Sequence, residues 1–188
     1  MSQAKTLTQA ELDQVLRYID TRKYSLRNRA LVLTSFWSGM RVKEIASLRI
    51  MDVMNTDGSI KNEIRLTAEQ TKGSHPRTVF IPEKLRTELA NYLKFRDLTR
   101  LEIPLFFTEK NLGFTPNTMC QFFFWLYRNA GVSGASSHSG RRTFITSLAQ
   151  KGIGVRVLAS LAGHRNIAVT QRYIDVNDEM KRNAVELI

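Results

Sequence analysis

Apolar residues recur at helical spacing along most of this chain. Thr8 stands three residues before Glu11, the pairing of a capping box, and Leu12, Val15, Leu16 and Ile19 follow on one helical face. Ser25 opens a second helical pattern through Ala30, Leu31, Leu33 and Phe36, running down to Ser38-Gly39. A third, from about Arg41 to Leu48, has Val42, Ile45, Ala46 and Leu48 as its apolar set. Then the period changes. Asn55-Thr-Asp-Gly58 is turn chemistry, and Ile64-Arg-Leu66 alternates as a strand does. Thr71-Lys-Gly-Ser-His-Pro76 reads as a turn and Thr78-Val-Phe-Ile81 as the returning strand, which predicts a small antiparallel sheet over 60–81. Helical patterns resume at about 83–96, 116–130, 139–151, 154–162 and 168–174. Asn177 is placed to cap a last amphipathic helix with Met180, Ala184 and Ile188 at spacing four. The expected fold class is mainly α with a small antiparallel β-sheet (α+β). With no repeat, low-complexity tract or long linker, a single domain over 1–188 is expected.

Composition narrows the partners. A chain of 188 residues with 43% hydrophobic and 24% charged residues buries an ordinary globular core. The net charge of +11 points to a polyanion, either nucleic acid or an anionic membrane surface. The membrane is disfavoured, because no run approaches about 18 uninterrupted apolar residues and Met1-Ser-Gln-Ala-Lys5 has no apolar signal core. A single cysteine, Cys120, excludes an internal disulfide and a cysteine-rich zinc module, so a reducing, cytoplasmic setting is expected, at the nucleoid.

The charge is unevenly spread. Residues 110–174 contain no acid, where the chain's average would put roughly six, and eight bases. A face built from this stretch carries unneutralised positive potential. Its Lys110, Arg142, Arg156 and Arg165 are candidates for contacts with DNA phosphates.

The same stretch holds His138-Ser-Gly-Arg141, then Ala162-Gly163-His164, then Tyr173 nine residues on. Upstream stand Gly39-Met-Arg-Val-Lys-Glu44 and Thr71-Lys72-Gly73. Together these resemble the catalytic domain of the tyrosine recombinases, the phage integrase family, from roughly residue 6 to the C-terminus. The resemblance implies that Tyr173 is the nucleophile and that Arg41 and Arg141 are the two phosphate-binding arginines. It implies that Lys72 is the lysine of the sheet turn, that His138 and His164 are the two histidines, and that Glu44 is a supporting acid. It also implies double-stranded DNA recombination sites as partner, a monomer when free, a tetramer on DNA, and no cofactor. The tail at 177–188 would be exchanged between subunits, the alternative being packing against its own domain. Most members carry an additional N-terminal DNA-clamping domain, expected to be absent from this chain because the matching region starts almost at Met1, which reads either as an excised catalytic domain or as a compact stand-alone recombinase.

The chemistry explains these residue types. A phosphodiester passing to a pentacovalent state gains negative charge on its non-bridging oxygens, which two forked arginines can hold. A tyrosine with its ordinary pKa of about 10 is only about one part in a thousand ionised at pH 7, so it needs a base and a positive field. The departing 5′ oxygen needs a proton, which a lysine on a turn can deliver. With so much positive charge no metal is required, and no metal-ligand cluster is visible in the sequence.

Three positions depart from the family's habit. Gly140 stands where leucine is common, Arg142 where histidine is common, and Ala162 where leucine often precedes Gly-His. Alternative functions are a non-catalytic DNA-binding regulator, suggested by a helix-turn-helix rhythm over 155–173, and a type IB topoisomerase. A small RNA-binding module is a further reading, but the usual aromatic stacking signatures are missing.

Overall fold

The computed structural model describes residues 4–71, 73, 75–110, 112–174 and 178–186. The first helix, α1 (Gln9–Asp20), begins at the expected capping box: Thr8 Oγ1 accepts from the Glu11 amide, and the Glu11 carboxylate accepts from the Thr8 amide. Its Leu12, Val15 and Ile19 are buried. They face α2 (Ser25–Ser38), which is buried almost all round and packs against α1, α5 (Glu83–Leu93) and α7 (Ser139–Gln150). A helix in that position must satisfy its polar side chains internally. Thr34 and Ser38 do so by donating to the carbonyls four residues earlier, at 2.7 and 2.6 Å.

After α3 (Val42–Ala46) comes α4 (Ile50–Val53), a single turn too short to leave a periodic signature in the sequence. Strands β1 (Glu63–Leu66) and β2 (Arg77–Phe80) form the expected antiparallel pair, with Ile64 opposite Val79 and Leu66 opposite Arg77. Ile64, Leu66 and Val79 face inward. The register therefore places Arg77 on the buried face, across from Leu66.

Beyond α6 (Pro116–Asn129) and α7 lie α8 (Val155–Ala162), α9 (Ile167–Gln171) and α10 (Asp178–Val185). The helix expected over 168–174 stops at Gln171, so Tyr173 lies in the turn that follows. Asn177, the expected cap of the last helix, lies outside the described residues, as do Ile188 and the side chain of Met180.

Gly140 has a steric explanation. A Cβ there would overlap Ser35 Oγ and come within 2.9 Å of Ser35 Cβ, so α2 and α7 cross too closely for any side chain. The glycine that departs from the family's leucine sits where these two helices touch.

Candidate active site

The site is assembled from chain turns that end or begin helices. Gly39 closes α2 in the left-handed conformation (φ 63°), and Arg41 follows in extended geometry as the residue capping α3. Arg141 lies in the first turn of α7. Gly163 closes α8, also left-handed (φ 63°), and delivers His164. These three turns meet. Arg141 Nη1 donates to the Gly39 carbonyl at 2.6 Å and Nη2 to the Ala162 carbonyl at 2.6 Å. Arg41 Nη2 donates to the Gly163 carbonyl at 2.9 Å.

Beneath them lies Glu44, with no exposed surface. It accepts from the Arg41 amide at 2.7 Å, from Arg41 Nη1 at 3.1 Å, and from Arg77 Nε and Nη2 at 3.1 and 2.8 Å. Arg77 Nη1 reaches on to the Leu161 carbonyl at 2.9 Å. Burial alone would raise the Glu44 carboxyl, but the hydrogen bonds and charge of Arg77, helped by Arg41, hold it below the usual carboxylate range. Three guanidiniums (Arg41, Arg77, Arg141) against one carboxylate leave two surplus positive charges in a largely buried cluster. Burial first, and then the neighbouring Arg41, bring the Arg141 guanidinium down to about 9.

His164 Nε2 lies 2.8 Å from Arg141 Nη2, and its Nδ1 lies 2.8 Å from Thr170 Oγ1. Burial, followed by the charges of Arg141, Arg41 and Arg77, lowers the imidazole to about 4, so the ring is neutral at pH 7. Tyr173 stacks on it, with ring centroids 5.8 Å apart and planes 22° from parallel. The Arg142 guanidinium sits 5.3 Å from the Tyr173 ring centre. An open cleft of about 340 Å³ lies beside this group, lined in part by His138, Arg141, Arg142, Arg172 and Tyr173. Four of these five are basic side chains and none is acidic, an arrangement suited to an anion beside a tyrosine hydroxyl.

The sequence pattern of the phage integrase family matches residues 5–180. The chain belongs to that family. It is similar to the tyrosine recombinase XerA of Pyrococcus furiosus, with 32% identity over 186 residues, covering 97% of this chain and 61% of that protein. The crystal structure of a XerA recombinase superimposes with a TM-score of 0.77 at 25% identity, over all of this chain and 66% of the other. The Tn1549 transposon integrase, solved in complex with a circular intermediate DNA, also gives 0.77, at 20% identity, over 100% of this chain and 67% of that one. The fold is that of the tyrosine recombinases. The chain spans about three fifths of the length of the curated relatives it matches.

Of the residues expected to form the site, this phage integrase family member brings together Arg41, Glu44, Arg141, His164 and Tyr173, with His138 exposed at the rim of the cleft. His138 occupies the capping position of α7, but its side chain makes no cap hydrogen bond. Lys72 lies outside the described residues. The described residues on either side are anchored: Lys43 Nζ donates to the Thr71 carbonyl at 3.0 Å, and Thr71 Oγ1 donates to the His75 carbonyl at 2.7 Å.

Among the candidate DNA contacts, Arg142 lines the cleft and exposed Arg165 adjoins His164. Arg156 is exposed at the far end of α8, on the order of 9 Å from Ala162 along the helix axis. Lys110 is not part of this group. Its neighbour Glu109 lines a separate hollow with Tyr24 and Arg27, at the opposite end of α2.

Arg77 and Thr170 were not anticipated. Arg77 leaves one sequence signal, an arginine two residues before Val79 and so on the inward face of the strand. Thr170, a fully buried hydroxyl in a five-residue helix, leaves none.

Proposed function

We propose that the chain carries the catalytic site of a tyrosine site-specific recombinase, which cleaves and rejoins double-stranded DNA at recombination sites. The observation that supports this most directly is the convergence of Arg41, Arg141, His164 and Tyr173, far apart in sequence, in one cluster whose Arg141 and Tyr173 line a basic cleft. In this reading the Tyr173 oxygen attacks the backbone phosphorus and the bond to the 5′ oxygen breaks, giving a 3′-phosphotyrosyl link. His138 assists removal of the tyrosine proton, and Lys72 protonates the departing 5′ oxygen. Arg41 and Arg141 hold the non-bridging oxygens, and Glu44 supports Arg41. The phosphotyrosyl bond keeps the energy of the broken linkage, so a second 5′ hydroxyl reverses the step without ATP or metal.

Arg142, Arg156, Arg165 and Lys110 dock phosphates in the same reading. We place the enzyme at the nucleoid, monomeric when free and tetrameric on paired sites, with α10 seated on a neighbouring subunit. Supporting that tail exchange, Ala184 and Val185 of α10 are exposed, Val185 at 63%. Among the described residues no helix is long and apolar enough to cross a membrane. A regulator of helix-turn-helix type is less well supported, because α9, in the recognition position, has only five residues.

The test is incubation with a nicked suicide substrate bearing the cognate site. A denaturation-resistant protein–DNA adduct through Tyr173 is expected. Sequence-specific binding with no adduct would leave the regulator as the surviving reading.

A further inference from the structure

An arginine side chain only donates hydrogen bonds. The 2.8 Å contact between Arg141 Nη2 and His164 Nε2 therefore makes Nε2 the acceptor. In a neutral ring the proton is then on Nδ1, which donates to Thr170 Oγ1 at 2.8 Å. Thr170 has no exposed surface, so this hydroxyl is reached by the ring and not by bulk water. In the free protein His164 thus presents a lone pair, not a proton, towards Arg141.

A scissile phosphate changes what that nitrogen must do. Its oxygens are acceptors, and they take up donors of Arg141. An oxygen approaching Nε2 meets a lone pair unless a proton is there. Gaining a second proton is opposed by Arg41, Arg77 and Arg141, which face the ring from the α3 cap, β2 and α7, while Tyr173 covers one face. A hydroxyl, unlike a carbonyl or an amide N–H, can either accept or donate.

We infer that Thr170 is a positioning residue: its hydroxyl accepts from His164 Nδ1 in the free protein and donates to it in the DNA complex, so that Nε2 becomes a donor to the phosphate. One proton leaves Nδ1 and one arrives at Nε2, both exchanged with water while the ring is swung away from Thr170 before the phosphate docks, and the charge of the ring is unchanged. This rests on the recombinase reading for the second state only; the first is a property of the free chain.

The experiment compares Thr170→Ser, which keeps the hydroxyl, with Thr170→Val, which keeps the shape. The full chain has three histidines, so the His164 ring nitrogens are assignable by ¹⁵N NMR. The wild type and Thr170→Ser should show the proton on Nδ1 at pH 7.5, and so should Thr170→Val, in which Arg141 still donates to Nε2. On a suicide substrate at saturating concentration, Thr170→Val should cleave about tenfold or more slowly with nearly unchanged DNA affinity, and Thr170→Ser should be close to wild type. Thr170→Val added to His164→Gln should cost nothing further. A wild-type ring protonated on Nε2 overturns the inference, even if the valine variant does not fold. So does a valine variant that cleaves at the wild-type rate, or full additivity in the double variant. Absence of any adduct from the wild type would instead remove the recombinase reading, and the NMR result would still decide the role of Thr170 in the free protein.

Discussion

Glu44 and Arg77, 33 residues apart, form a two-point ion pair inside the protein, with nitrogen–oxygen distances of 3.1 and 2.8 Å to a carboxylate that has no exposed surface. The pair ties β2 to the helix that follows Arg41. Removing one partner strands a buried charge. Arg77→Ala should therefore lose about 3 kcal/mol or more in urea unfolding, and Glu44→Gln a comparable amount, because its amide NH2 would face two donors and leave the guanidiniums unneutralised. The Glu44 carboxyl is depressed in the folded state, so its stabilisation is present above its unfolded value and is lost as pH falls through the lower folded one. Glu44→Gln should consequently flatten the wild type's loss of stability below about pH 4.5. A stable Arg77→Ala with an unchanged acid limb would contradict the pairing.

His164 gives a second pH dependence, of different origin. Its ring is lowered from 6.5 to about 4, so between these values the unfolded chain binds a proton that the folded protein refuses. Stability should be full above about pH 6.5, fall on acidification to about pH 4, and then lose this contribution to slope. The total is on the order of 1–3 kcal/mol. Unfolding free energies of the wild type and His164→Gln, measured at pH 7.5 and 4.5, should differ more at the wild type's expense at the lower pH.

Tyr173→Phe should form no covalent adduct while keeping fold and DNA affinity, because stacking on His164 needs the ring and not the hydroxyl. Adduct formation at the wild-type rate by this variant would assign the nucleophile elsewhere. A loss of about 1 kcal/mol or more in stability would assign the hydroxyl a structural hydrogen bond.

The Gly140–Ser35 crossing predicts a compensating pair. Gly140→Ala should destabilise strongly, since its Cβ would overlap Ser35 Oγ, and Gly140→Leu should fail to fold at 37 °C. Ser35 Oγ is buried without a hydrogen-bond partner, so Ser35→Ala should be neutral or stabilising. Ser35→Gly should rescue part of the Gly140→Ala loss, as read from thermal midpoints of the four variants.

By itself the sequence determined the hairpin and the helices other than the single turn α4. Their signals act over a few residues: the Thr8–Glu11 box, the alternation at Ile64 and Leu66, the turn at Gly39. It also marked Arg41, Glu44, Arg141, His164 and Tyr173, because their types and order resemble the catalytic set of the tyrosine recombinases. The tertiary structure decided what those residues touch. That Arg77 neutralises Glu44 depends on strand register and on burial shared by β2, α3 and α8. That Thr170 orients His164 depends on a turn around Gly163 and a helix of only five residues. That Gly140 must lack a side chain depends on how closely α2 and α7 cross. Local pattern is written in nearest neighbours along the chain, whereas partners of a buried charge or ring are chosen by packing of the whole core.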